Sequence, residues 1–125
     1  MSTQIAIDAI QHTLQNISGK WRIPILTTLF QIEKARYSTL QQHLPKIGSK
    51  MLTTELKALE QLNLIERLVS EPSLTISYQL SNKGRSLWPV LAVLSTWGEA
   101  DLPKKATELT SQNKHEINHF LTINI

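Results

Sequence analysis

Apolar residues recur along this chain at two periods, and the change from one to the other marks out its elements. Ile7, Ile10, Leu14 and Ile17 stand three and four positions apart, which predicts an amphipathic first helix over residues 3–16. Residues 16–19 end it, with Gly19 supplying the C-terminal position at which a side chain is disfavoured. A second helix is expected over residues 20–30, burying Trp21, Ile25, Leu26 and Leu29. Pro24 is tolerated there because it falls in the first turn, where its missing N–H has no helical partner. Ser38-Thr39-Leu40-Gln41 fits a capping box, in which Ser38 and Gln41 reciprocally satisfy the free N–H groups of a helix start. That helix is short, ending at Leu44 because Pro45 follows, and Tyr37 is left just outside it, in a position to join a small sheet.

Residues 47–62 form the next helix, whose last turn runs into Asn63, a residue that tolerates the left-handed conformation. Beyond it the period falls to two. Leu74, Ile76, Tyr78 and Leu80 alternate with Thr75, Ser77 and Gln79, which predicts a strand with one buried face. Residues 65–70 are its partner, and Glu71-Pro72-Ser73 is the turn between them. Ser81 can then cap a helix that starts near Gly84 and runs to Trp97-Gly98, with an apolar face of Leu87, Val90, Leu91, Leu94 and Trp97 and a kink at Pro89. After Pro103 the pattern weakens, although Leu109, Ile117, Phe120 and Leu121 permit another helix. The expected fold class is mainly α with a small β-hairpin, a winged helix-turn-helix with additional N- and C-terminal helices. We expect a single domain over residues 1–125, with the winged core at 19–81, one helix before it at 1–18 and the C-terminal helices at 82–125.

On a helical wheel of residues 47–62, Lys50, Thr53, Thr54, Lys57 and Gln61 share one side, while Leu52, Leu56 and Leu59 share the other. A helix that reads DNA needs this division, one face anchored to the core and the other presenting donors and small side chains to the major groove. Lysine can contact guanine or a phosphate, and threonine can bond a base edge or lay its methyl on thymine. Polar residues opposite leucines are what any surface helix shows. The short capped helix before this one and the hairpin after it are what give the stripe weight.

Composition narrows the classes further. The net charge of +3 is mild, but its distribution is uneven. Residues 1–50 hold six Lys/Arg against two Asp/Glu, a balance of +4, whereas residues 51–102 hold four against six, or −2. The basic excess therefore lies in and just before the expected DNA-reading helices. With no cysteine there is no disulfide framework, thiolate zinc site or thiol redox switch. No run approaches the roughly 18 apolar residues of a membrane span. The start, Met1-Ser2-Thr3-Gln4, lacks the character of a signal peptide, so a cytoplasmic protein with no membrane partner is expected.

An ordered set of short pieces runs through the same span: Gly19-Lys20-Trp21, Arg36-Tyr37-Ser38 with Leu40, Leu44-Pro45, Ile47, Lys50-Met51-Leu52, and Leu56 with Leu59-Glu60. It closes with Leu64-Ile65-Glu66-Arg67, Tyr78 with Leu80, Gly84, Leu87, Pro89 and Trp97-Gly98. Over about residues 10–100 the chain resembles the HxlR family of bacterial winged helix-turn-helix transcriptional regulators. The resemblance implies a regulator that binds double-stranded DNA as a homodimer on a roughly palindromic operator. It implies that the N-terminal helix and the helix around Leu87 to Trp97 build the dimer.

Carried over by position, groove reading falls on Lys50, Thr53, Thr54 and Lys57. Backbone-phosphate contacts fall on Ser38 and Thr39 at a helix N-terminus, and on Lys20, Arg36 and Ser49. Trp21 and Trp97 are expected in the core, or for Trp97 at the dimer contact. Three departures stand out. The cysteine with which many family members sense oxidants is absent. Gly48 stands where a serine usually opens the recognition helix, with Ser49 one step later, and glycine still serves as a cap. Residues 68–80, the wing, hold no Lys or Arg and include Glu71. A small hydrophobic effector between the dimer helices is compatible with the resemblance, and no residue specifies one.

His115-Glu116-Ile117-Asn118-His119 matches the H-E-x-x-H signature of zinc peptidases, which puts two histidines on one helix face beside a general base. Catalytic zinc needs a third protein ligand. The extended form of the motif would place a histidine at position 125, which is Ile125, and the six residues after His119 contain no Asp, Glu or His. With no phosphate-cradling loop or nucleophile motif either, neither an enzyme nor a metal or other cofactor is expected. The alternative to DNA binding is a winged-helix protein-interaction module, for which the uncharged wing is the best support.

Overall fold

Burial concentrates in three helices and one end of a small sheet. Residues 4–103 are described in the computed structural model. They fall into two compact units, one ending at Gly84 and the other beginning at Arg85. In the first unit, α1 (Ile7–Ile17) and α2 (Arg22–Gln31) are joined through Gly19, whose φ of 101° is the left-handed backbone expected there. Next come β1 (Ala35–Arg36), α3 (Tyr37–His43), α4 (Ser49–Gln61), β2 (Ile65–Ser70) and β3 (Thr75–Leu80). The strands form an antiparallel sheet of order β1-β3-β2, with Ala35 opposite Tyr78 and Ile65 opposite Leu80. The core takes Ile25, Leu26 and Leu29 from α2, Leu40 from α3, Leu52, Leu56 and Leu59 from α4, and Leu64, Ile65 and Leu80 from the sheet end. This is the mainly α winged helix-turn-helix that the periodicities predict.

Several details differ from the sequence expectations. Ser38 is not a cap. Pairing with β3 holds Ala35 and Arg36 extended, so α3 begins at Tyr37 and the N-cap position falls on Arg36, which makes no side-chain cap bond. A guanidinium has donors only and cannot satisfy a helix N–H. Tyr37 is accordingly the first residue of α3 rather than a strand residue. Trp21 is half-buried at the N-cap of α2 instead of lying in the core.

On β3 the alternation holds, but its apolar face is covered only near the base. Leu80 is buried and Tyr78 half-buried, whereas Ile76 and Leu74 are exposed and Ser77, on the other face, is buried. Ser77 is paired on both sides, with Arg36 and with Leu68, while Ile76 and Leu74 lie toward the turn, past the last residues of β1.

The expected helix from Gly84 to Gly98 is two. Ser81 does cap α5 (Asn82–Arg85), accepting the Gly84 N–H at 3.0 Å, but the chain then turns and α6 (Trp88–Asp101) starts afresh. Pro89 sits at the head of α6, where its missing N–H is harmless, so no kink arises. Within the second unit, α6 leaves Val90, Val93, Leu94 and Trp97 exposed, Trp97 to 71%, so Trp97 is not a core residue. The expected helix after Pro103 and the His115–His119 motif lie outside the described residues.

Gly84 explains itself by contact. A Cβ there would overlap the carbonyl oxygen of Leu64 and stand 3.2 Å from a Leu80 methyl, whereas a Cβ on Gly98 meets nothing within 4 Å. We expect Gly84→Ala to destabilise the fold by about 1–3 kcal/mol in urea or thermal unfolding, with Gly98→Ala neutral or mildly stabilising.

Candidate nucleic-acid interface

Helix α4 is held at both ends and in the middle. Gly48 is its N-cap in extended backbone, as expected of a glycine standing in for serine. At the first turn the Tyr37 hydroxyl donates to the Ser49 carbonyl oxygen at 2.7 Å. In the middle, Arg22 Nε donates to Glu55 at 2.9 Å, both side chains being mostly buried. The same guanidinium donates through Nη1 to the Asn16 carbonyl oxygen at 2.9 Å, so one side chain links α1, α2 and α4. At the far end Asn63 takes a φ of 62°, its N–H reaching Glu60 O and the Leu64 N–H reaching Leu59 O. That is a Schellman closure with asparagine in the glycine position, and the accompanying apolar pair, Leu59 and Leu64, is buried. Lys83 adds a bond to the Leu62 carbonyl oxygen at 2.9 Å.

Because Leu52, Leu56 and Leu59 face inward, Lys50, Thr53, Thr54, Lys57 and Gln61 are all exposed. Among the described residues neither Lys50 nor Lys57 has an ion-pair partner. Both threonine hydroxyls turn back along the helix. Thr53 Oγ1 donates to Ser49 O at 2.9 Å and lies 3.3 Å from the Tyr37 hydroxyl oxygen, and Thr54 Oγ1 donates to Lys50 O at 2.9 Å. With the hydroxyl hydrogens used internally, the two threonines present oxygen lone pairs and γ-methyls outward. That suits amino groups and thymine methyls better than base acceptors.

The remaining candidates are more scattered. Ser49 is the first residue of α4, exposed, with its carbonyl engaged by Tyr37. Ser38 and Thr39 lie in the first turn of α3, where no side chain caps the helix N–H groups. Arg36, exposed, stands immediately before them in β1. Lys20 belongs to the connection between α1 and α2, and its ammonium lies 5.2 Å from the centroid of the Trp21 ring.

Between α4 and the hairpin lies a groove of about 330 Å³. Helix α4 contributes Thr53, Leu56, Lys57 and Glu60, Tyr37 lines it from α3, and the sheet supplies Arg67 and Tyr78. Arg67 is a cation that the reading of side-chain patterns leaves out. The signal for it is the register, since Arg67 on β2 is directly opposite Tyr78 on β3 and shares its face. Toward the turn the next pair on that face is Val69 with Ile76, and the turn itself holds Glu71 and an exposed Leu74 outside the strand at a φ of 54°, so the wing tip carries no cation.

Residues 16–106 match the family described as HxlR-like helix-turn-helix. A helix-turn-helix type transcriptional regulator of Bacillus subtilis, the uncharacterised YdzF, is 41% identical over 91 residues, covering 72% of this chain and 84% of that protein. The crystal structure of YtcD, a helix-turn-helix type transcriptional regulator by name, superposes with a TM-score of 0.67 at 38% identity, over 75% of this chain and 94% of that one. A regulator of the MarR family from Enterococcus faecalis V583 reaches a TM-score of 0.74 at 30% identity, over 86% and 97%. These are transcriptional regulators and not enzymes, and among the described residues no helix is long and apolar enough to cross a membrane.

The central tie of α4 is open to direct measurement. Glu55→Ala leaves a mostly buried guanidinium with one partner fewer, and we expect a loss of about 1–2 kcal/mol in chemical unfolding. Restoring less than half of that loss with Glu55→Gln would show that the charge matters beyond the hydrogen bond.

Proposed function

Because the chain belongs to the HxlR-like helix-turn-helix family of DNA-binding transcriptional regulators, we propose that it acts as a homodimer on a roughly palindromic operator. Each protomer lays α4 in a major groove, with the two helices about one DNA turn, roughly 34 Å, apart. The observation that carries this reading is the exposed face of α4, with Lys50, Thr53, Thr54 and Lys57 outward over three buried leucines. Base edges are met by these four residues. Ser49, Ser38, Thr39, Arg36 and Lys20 serve the phosphates, Ser38 and Thr39 through the uncapped first turn of α3.

Residues 19–81 are the DNA-binding core in this scheme, with the flanking helices as the dimer contact. Two observations support it independently. Helix α1 leaves Ile7, Ile10 and Leu14 exposed, with Ile5 two residues ahead of it, and α6 leaves Val90, Val93, Leu94 and Trp97 exposed. Rows of large apolar side chains on a soluble protein mark contact surfaces. A small hydrophobic effector would bind between the paired helices, and any sensing by these 125 residues is thiol-free, since none is a cysteine. The regulator works in the cytoplasm, where its DNA is.

Selection of bound sequences from a random DNA pool at two salt concentrations tests the reading directly, since palindromy, half-site spacing and charge attraction separate in one experiment. On the selected duplex, Lys50→Ala/Lys57→Ala should weaken binding by about 2–5 kcal/mol. Wild-type affinity in the double variant would remove α4 as the reading helix. Sedimentation at micromolar concentration should give twice the 14.2 kDa protomer mass, and a monomer would sink the dimer.

A further inference from the structure

The groove between α4 and the hairpin is only partly used by the reading face, since Arg67, Tyr78 and Glu60 line it with no part in DNA contact so far. The geometry points to a phosphodiester site. We infer that one backbone phosphate of the bound duplex sits in this groove, between the Arg67 guanidinium on the hairpin side and the Lys57 ammonium on the helix side. This rests on the DNA-binding reading above and changes one part of it, making Lys57 a backbone contact rather than a base reader.

Four features converge on it. The first is the placement of cations. Arg67, Tyr78 and Ala35 are successive partners across all three strands, so Arg67 is fixed on the face of the sheet that Tyr78 presents to α4. Arg67 is exposed and, among the described residues, has no carboxylate within ion-pair distance. The neighbouring Glu66 is on the opposite face, engaged by Gln79 at 3.0 Å. The second is charge. Lys57 and Arg67 face one carboxylate, Glu60, a net of one positive charge, which matches the single negative charge of a phosphodiester and disfavours a second phosphate in the same space. A guanidinium presents its donors as a planar fork suited to two phosphate oxygens.

The third feature is the disposition of hydroxyls. Tyr37 is committed to Ser49 O and so acts as a wall, whereas the Tyr78 hydroxyl makes no hydrogen bond among the described residues and can donate to an oxygen in the groove. The fourth is continuity. Thr53 and Lys57 belong both to the groove and to the outward face of α4, so a DNA strand leaving that face passes the groove mouth. Beyond Arg67 the hairpin has no Lys or Arg to its end, and the turn at its tip, Glu71-Pro72-Ser73-Leu74, adds an acid and no cation. The backbone contact that wings usually make with a basic tip is placed here at the wing's base.

The test is binding of the full chain to its selected duplex, with Arg67→Ala and Arg67→Lys, each checked for an unchanged unfolding midpoint. Arg67→Ala should weaken binding about tenfold on selected and unrelated duplexes alike, and flatten the slope of log affinity against log salt by about two, one for each protomer of the dimer. Arg67→Lys should keep the slope. Single uncharged methylphosphonate substitutions along the duplex should find one position per half-site that costs the wild type about tenfold and costs Arg67→Ala, which keeps only the Lys57 side of the site, clearly less. Wild-type affinity and slope in Arg67→Ala overturns the phosphate site while leaving DNA binding intact. So does a loss confined to particular base sequences, which would make Arg67 a base reader. If the wild-type chain binds no duplex at all, the DNA reading itself falls and this site falls with it.

Discussion

Three leucines on one side of α4 set the terms for everything else. Burying Leu52, Leu56 and Leu59 fixes the rotation of the helix about its axis, and with a period of 3.6 residues that also fixes which side chains face outward. Turning the helix by a single residue position would bring Lys57 or Thr53 toward the interior, at the cost of an unpaired charge or hydroxyl there. The Arg22–Glu55 pair and the Tyr37–Ser49 bond then fix its position along and across that axis. Neither could orient the helix alone, since each is a single contact worth on the order of 1 kcal/mol, less than the burial of three leucines. They refine a placement that apolar burial has already chosen.

Around that helix the chemistry is unevenly divided. Positive charge sits on α4, on the short connection before α3 and at the base of the hairpin, and the tip of the hairpin carries none. The tip of such a wing contributes shape rather than electrostatic attraction, which at the hairpin is left to Arg67 at its base.

The parts of this arrangement that could be read in the sequence are those decided locally. The leucine spacing, Gly48 and Asn63 bound α4 with an error of one or two residues, because each acts through its own backbone or its own face. What escaped reading depends on partners remote in the chain. β1 is two residues long and has no periodicity of its own; it exists because Tyr78 and Ser77 stand beside it, and its pairing is what moved the start of α3 from Ser38 to Tyr37. Leu74 and Ile76 follow a buried-strand pattern, yet nothing in the pattern says how far along the strand the cover extends. Pro89 predicts a kink within one long helix, and it is the break at residues 86–87 that makes it the head of a second. Arg67 was hidden for the same reason, since its neighbourhood is a matter of strand register across the turn.

The exposed isoleucines of α1 have a consequence for how much of this protein a cell must hold. A protomer that covers Ile7 and Ile10 with a second copy before gripping two half-sites assembles in proportion to the square of its concentration. While occupancy is low, halving the protomer concentration removes more than half of the bound fraction. On the proposed dimer, operator occupancy then responds more steeply than linearly to the rate of synthesis, and a modest change in expression is amplified at the promoter.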